Sequence, residues 1–212
     1  MIALLVAQAI AFVVLVTRLL PGRKRPPPVA PRLVDNDDSS VTVILATLNE
    51  AERIGPCLAG LAAQGKTLGE IIVVDSRSTD GTPDIVRSAA RRDPRIRLVT
   101  DDPLPPGWVG KPWALQHGLQ QARGEWILGV DADTEPKPGL VSAVAAAARD
   151  GNYALVSFAP MFADQSAAEQ FLQPALLRTL IYRGGAVGTE GHPERLLANG
   201  QCFLVRRDIL LR

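Results

Sequence analysis

The sequence predicts an α/β fold, a mostly parallel sheet flanked by helices. From residue 41 onward, short β-branched runs alternate with segments of helical period, which is the rhythm of βαβ units. The runs are short and apolar throughout, as buried strands are. Polar stretches follow the runs immediately, where open α/β sheets bind their ligands.

The chain opens on an uncharged stretch from Met1 to Thr17, which with Leu19 and Leu20 approaches the ~20 apolar residues that cross a bilayer. Arg18, Arg23, Lys24 and Arg25 all follow it, whereas a cleaved leader carries its positive charge ahead of the apolar run. That order predicts an uncleaved transmembrane helix over 1–20 in the cell (inner) membrane, with a cleaved leader and a buried helix as the alternatives. The positive-inside tendency then places the rest of the chain in the cytoplasm. Pro21-Gly22 and Pro26-Pro27-Pro28 end the helix, residues 21–40 read as a proline-rich polar linker, and the domain proper is expected over 41–212.

Strands are expected at Val41–Ala46, Ile71–Val74, Ile96–Val99, Trp126–Val130, Leu155–Phe158 and Cys202–Val205. Ile54, Leu58 and Leu61 share one helix face, with Asn49 and Glu52 spaced as a capping pair. Thr82-Pro83 opens the next helix with proline at its first position. Lys111-Pro112 opens another, carrying Leu115, Leu119 and Ala122 on one side, and Pro138 starts one with Val141, Val144, Ala145 and Ala148 inward. Ser166 and Glu169 fit a capping box at the start of a largely apolar helix bent by Pro174, read either as a core helix or as one lying against a membrane.

Composition removes several classes. The chain has 212 residues, 47% hydrophobic and 21% charged, which excludes disorder and a disulfide miniprotein. Residues 1–34 hold five basic residues and no acid, leaving 18 basic and 22 acidic residues and a balance of −4 in the remainder. A body without a basic stripe is not a nucleic-acid binder. Cys57 and Cys202 lie far apart without metal-ligand spacing, so both are expected as buried reduced thiols and zinc chemistry is excluded.

The candidate chemistry lies after the strands. Asp131-Ala132-Asp133 leaves the fourth run and aims two carboxylates from one strand end, the oxygen pair a hard divalent cation shares with substrate phosphates and water. Asp75 closes the second run, where a carboxylate accepts from a base N–H or a ribose hydroxyl, or caps a helix. Lys111 stands at a helix start after two glycines, where a cation and backbone N–H groups converge on phosphate. Ser78, Thr79, Asp80, Gly81 and Thr82 suit a structural turn into the helix at Pro83. His117 and His192 have no nucleophile partner at elbow spacing.

Taken in order, Thr47-Leu48-Asn49-Glu50, Val74-Asp75-Ser76-Arg77-Ser78-Thr79-Asp80-Gly81-Thr82, Gly110-Lys111-Pro112-Trp113-Ala114-Leu115, Asp131-Ala132-Asp133 and the late segment Asn199–Arg207 resemble a family-2 glycosyltransferase of the GT-A fold. The loop Pro105-Pro106-Gly107-Trp108-Val109-Gly110-Lys111 further resembles the membrane-bound branch associated with hopanoid and carotenoid synthesis. The resemblance covers about residues 41–207. It implies a Rossmann-like sheet, a nucleotide-diphospho-sugar donor, Mg²⁺ or Mn²⁺, and a lipid-type acceptor such as a hopanoid, carotenoid or polyprenyl phosphate. Carried over residue by residue, Thr47, Asn49, Glu50 and Asp75 contact the nucleotide, Lys111 belongs to the donor pocket, and Asp131 and Asp133 are the donor and metal carboxylates. Two departures stand out: Ser76 replaces a frequent second aspartate, and the general base that follows the late basic pair is absent before Arg212. The base is therefore expected beyond Arg212 in a longer parent chain, with Glu190 and Asp208 as the nearby substitutes. The alternatives are a sugar nucleotidyltransferase and a membrane-tethered donor-binding remnant without turnover.

Overall fold

The computed structural model describes residues 2–20, 27–33, 40–163, 166–173 and 200–211. Contacts divide the chain into two compact units, Val29–Phe158 with Ala198–Arg212, and Met1–Pro28 with Ala159–Leu197.

The first unit holds the whole sheet. Its elements are β1 (Val41–Thr47), α2 (Ile54–Ala62), β2 (Leu68–Asp75), α3 (Thr82–Ala90), β3 (Ile96–Thr100), α4 (Gly110–Gln121), β4 (Trp126–Val130), α5 (Leu140–Asp150), β5 (Leu155–Ser157) and β6 (Cys202–Arg206), numbered after α1 of the other unit. The sheet order is β3-β2-β1-β4-β6-β5. The first four strands are parallel, and β6 runs antiparallel between β4 and β5. All six expected strands are present, so the mostly parallel expectation holds, with β6 as the reversed member.

Side-chain alternation along β1 divides the core. Val41, Val43 and Leu45 face α2, α3 and α5, together with Ile71 and Val73 of β2. Ile44, with Ile72, Val74 and Ile127, faces Ala114, Leu119 and Ala122 on the other side. Every strand residue of β4 is buried, as a strand covered on both faces requires. Burying each Leu or Ile contributes about 1.5–3 kcal/mol. On α5 the expected Val141, Val144, Ala145 and Ala148 are all buried.

α4 sits unusually close to the sheet. A Cβ on Gly118 would stand 2.6 Å from Ile44 Cγ2 and 3.1 Å from Val74 Cγ2. Only a residue without a side chain permits that approach, and it brings the start of α4 over the carboxyl ends of β1 and β4.

The expected Asn49–Glu52 cap is corrected by the structure. The residue ahead of α2 is Arg53, with no side-chain hydrogen bond to the helix. Asn49 instead turns away, with φ of 57°, and its Oδ1 accepts from the Thr79 N–H at 2.9 Å.

In the other unit, α1 (Ile2–Leu19) has mean hydropathy 2.3 and no buried residue. It is long and apolar enough to cross a bilayer by length and composition. The capping box at residue 166 forms as expected: Ser166 Oγ accepts from the Glu169 N–H at 3.2 Å, and Glu169 Oε2 accepts from the Ser166 N–H at 3.1 Å. The bend at Pro174 and the apolar residues after it lie outside the described residues.

Candidate active site

Four loops leave the carboxyl ends of β1, β2, β3 and β4, and the first two are laced together. Ser78 Oγ accepts from the Asn49 N–H at 2.8 Å, Thr82 Oγ1 from the Glu50 N–H at 2.9 Å, and Asp80 Oδ2 from the Ala51 N–H at 2.9 Å. Asp80 also accepts from the Thr82 hydroxyl at 2.6 Å; that bond first, and the Ala51 N–H second, hold its carboxyl below the usual range. Asp80 is thus the turn residue expected.

The loop after β4 is equally constrained. Asp131 O accepts from the Thr134 N–H at 3.2 Å and from its hydroxyl at 2.7 Å, while the Asp131 N–H donates to Gln201 O at 3.3 Å. Beneath it lies Cys57, whose Sγ is 3.7 Å from the same carbonyl oxygen. Burial pushes the Cys57 and Cys202 thiols up to about 11, which fits the reduced interior thiols expected.

Between these loops lies a cleft of about 290 Å³ lined by Thr47, Glu50, Ser76, Gly110, Lys111, Asp131 and Asp133, among others. Five of the seven residues singled out from sequence therefore line one cleft. The other two, Asn49 and Asp75, do not line it. Asn49 is spent on Thr79. Asp75 is 3% exposed, its Oδ2 accepting from the Ser78 N–H at 3.0 Å and its Oδ1 from the Ser78 hydroxyl at 2.5 Å. Ser76 lines the cleft although sequence reasoning treated it only as a departure. Glu190 lies outside the described residues. Asp208 is bound by Arg206 at 2.9 Å beyond the strand end that pairs with Trp126, so it sits at the end of the sheet opposite the cleft and is no candidate for the base.

Two cations face the three carboxylates of the cleft. Lys111 Nζ pairs with Asp131 Oδ1, Arg53 Nη2 lies 3.0 Å from Glu50 Oε2, and Arg53 Nη1 lies 4.0 Å from Asp133 Oδ2. Among the described residues no group of three or more His, Cys, Asp or Glu gathers around one point. Asp131 and Asp133 alone fit a hard cation that arrives with a diphosphate and completes its shell with phosphate oxygens and water, not one held in an all-protein cage. A second hollow of about 310 Å³, at the amino ends of the strands, is lined by Arg95 and Arg97. Arg95 pairs with Asp93 at 2.7 Å and Arg97 with Glu70 at 2.9 Å, so both guanidiniums tie strand and loop together there.

A 3-2-1-4 parallel half-sheet whose strand ends present an Asp-Ala-Asp turn, a helix-start lysine and a laced pair of polar loops is the GT-A frame of sugar-transfer enzymes. Residues 42–211 match the family described as Glycosyl transferase family 2, and the chain belongs to it. The succinoglycan biosynthesis protein ExoO of Rhizobium meliloti (strain 1021) is 37% identical over 98 residues, 46% of this chain and 26% of that protein. The dolichyl-phosphate beta-glucosyltransferase ALG5C of Trichomonas vaginalis is 35% identical over 115 residues, 50% of this chain and 33% of that protein. Among solved structures, the mannosyltransferase PcManGT of Pyrobaculum calidifontis, in complex with GDP-Man and Mn²⁺, superposes with a TM-score of 0.68 at 26% identity, covering 98% of this chain and 56% of that one. The chain spans little more than half of that structure, and the matches to the two curated relatives cover a third of their lengths or less.

Proposed function

We propose that the chain transfers a sugar from a nucleotide-diphosphate donor to a lipid-type acceptor, with inversion at the anomeric carbon. The observation that carries this reading is the convergence of Thr47, Glu50, Lys111, Asp131 and Asp133 on one cleft at the carboxyl ends of β1 and β4. Thr47 and Glu50 form the nucleoside side, with Asn49 and Asp75 shaping its loops. Lys111 leaves Asp131 to meet the diphosphate, where its cation stabilises the charge that builds on the leaving group. Asp131 and Asp133 hold Mg²⁺ or Mn²⁺, which supplies Lewis-acid stabilisation of the departing diphosphate when bound. The acceptor oxygen bonds to the anomeric carbon as the bond to the diphosphate breaks, and the acceptor proton goes to a base outside the described residues.

The presence of Mn²⁺ and GDP-Man in PcManGT, and the dolichyl-phosphate acceptor in the name of the Trichomonas relative, support the donor, metal and acceptor classes. α1 serves as the membrane anchor, with the domain in the cytoplasm, where nucleotide sugars are made. The test is incubation of membranes carrying the full chain with a panel of radiolabelled UDP- and GDP-sugars, followed by lipid extraction. Label in the lipid phase that disappears in Asp133→Ala is expected. Nucleotide binding without labelled lipid would replace this reading with a donor-binding remnant.

A further inference from the structure

The cleft has an apolar lip that the chemistry of the site does not use. Ahead of Gly110 and Lys111, which line the cleft, residues 103–110 carry no charge. Leu104, Trp108 and Val109 stand out from that stretch at 47%, 41% and 65% exposure. Scattered exposed apolar residues are ordinary, but three on one uncharged stretch beside a cleft mark a contact surface.

Local structure holds the lip in shape. Pro106 and Gly107 form the middle of a tight turn in which the Trp108 N–H donates to Pro105 O at 3.2 Å. Gly107 takes φ of 84°, the left-handed value that a type II turn reserves for glycine. Trp113, in the first turn of α4, ties the stretch down at two points. Its Nε1–H donates to Asp102 O at 2.9 Å, and its ring meets the Trp108 ring edge-on, with centroids 5.3 Å apart. Pro103, Pro105 and Pro106 have no N–H, so few backbone donors are left to strip of water. The result is a stiff, uncharged knob next to Lys111.

Its size and chemistry select the partner. Three side chains offer on the order of a few hundred Å², short of the ~800 Å² per partner that a stable protein interface buries. A second copy or another protein is therefore poorly matched. The headgroup layer of a bilayer takes in a tryptophan and a few aliphatic groups without needing a complementary surface, and an uncharged stretch carries no charge-desolvation cost on entering it.

We propose that residues 103–110 form a membrane-seating lip, with Leu104, Trp108 and Val109 entering the headgroup layer, so that the cleft opens where a lipid acceptor presents its polar end. The inference rests on the lipid-acceptor reading above. α1 keeps the chain at the bilayer, and the lip turns the cleft toward it.

The chain's own tryptophans, Trp108, Trp113 and Trp126, supply the test. Trp126 is 4% exposed in the core, and α1 contains no tryptophan, so anchoring by α1 alone brings none to lipid. The full chain is reconstituted in phosphatidylcholine vesicles whose acyl chains are brominated near the headgroup or near the methyl end, bromine being a short-range quencher of indole emission. The shallow label should quench roughly a third or more of the emission, as one lipid-facing residue of three requires, and the deep label less. Leu104→Asp combined with Val109→Asp keeps all three tryptophans and should cut that quenching roughly threefold or more. Val109 precedes α4, a position that aspartate caps well, so the thermal transition should not fall. Trp108→Phe removes the outer fluorophore and should leave little quenching. Equal emission in brominated and plain vesicles overturns the assignment, as does stronger quenching by the deep label or quenching that both variants retain. Loss of a dimer in detergent by the double variant, without lipid quenching in the parent, overturns it in favour of a second copy. The readout needs no donor, so its failure stands apart from a failure of the lipid-labelling experiment, which alone bears on the transfer reading.

Discussion

Replacing Lys111 with alanine should move two affinities in opposite directions. In the ligand-free cleft the lysine neutralises Asp131, so a divalent cation must displace it. The lysine side chain is 50% exposed and that of Asp131 22%, so water screens the pair and its contribution is about 1 kcal/mol or less. Removing it should therefore tighten binding of Mn²⁺ alone by up to about fivefold. With the diphosphate present the lysine turns to the donor, and a charge-assisted hydrogen bond of ~1.5–3 kcal/mol is lost, so nucleoside diphosphate should bind roughly ten- to a hundredfold more weakly. Free Mn²⁺ counted by electron paramagnetic resonance in titrations of the full chain in detergent, with and without UDP or GDP, reads both numbers on one sample. Weaker binding of Mn²⁺ alone in Lys111→Ala, or unchanged nucleotide affinity, would refute the picture of a lysine shared between Asp131 and the phosphates.

Asp133→Ala should abolish the Mn²⁺ dependence of nucleotide binding without altering the thermal transition, since its side chain is 49% exposed at a strand end; a variant still responsive to Mn²⁺ removes Asp133 from the metal role. Gly118→Val should push α4 from the sheet, because its Cβ would stand 2.6 Å from Ile44 Cγ2; overpacking of about 1–3 kcal/mol lowers Tm by roughly 2–12 °C in a chain of this size, and an unchanged Tm by calorimetry contradicts the close approach. Cys57 and Cys202 should resist alkylation at pH 8 until the protein is unfolded. Because folding raises both thiols from 9.0 to about 11, their contribution to stability is complete below pH 9 and is lost as pH rises toward about 11. Urea titrations across that window that show no loss would contradict it.

The strands and the acidic turn were legible because each is local: a short apolar run followed by polar residues is complete within itself. What escaped was set by partners far along the chain. Asn49 reads as a helix cap because the sequence shows its neighbours, yet its oxygen meets Thr79, thirty positions away. Asp75 reads as a ligand contact because it ends a strand, and nothing local to that strand shows that Ser78 curls back to donate to both of its oxygens. Asp101 stands just past an apolar run as Asp131 does, but it was not singled out from the sequence. Its burial and its bond to Ser76 depend on the register of β3 against β2, which no single-strand pattern contains. The inward faces of α2 and α5 were legible from periodicity, whereas the tight seat of α4 depends on one glycine meeting Ile44 and Val74.

The reversed strand β6 has a consequence for how the protein is made. β4, whose end carries Asp131, pairs on one side with β1 and on the other only with residues 202–206, more than seventy positions downstream. While the ribosome is still synthesising the intervening stretch, a nascent chain can assemble the 3-2-1-4 half-sheet, but its outer strand stays open along Trp126–Val130, an apolar edge suited to pairing with another copy. Thr134 holds the acidic turn locally, but the Asp131 N–H gains its acceptor only when Gln201 is in place. Synthesis stalled before residue 200 should therefore yield chains that aggregate through β4, while chains released after β6 has emerged should stay dispersed.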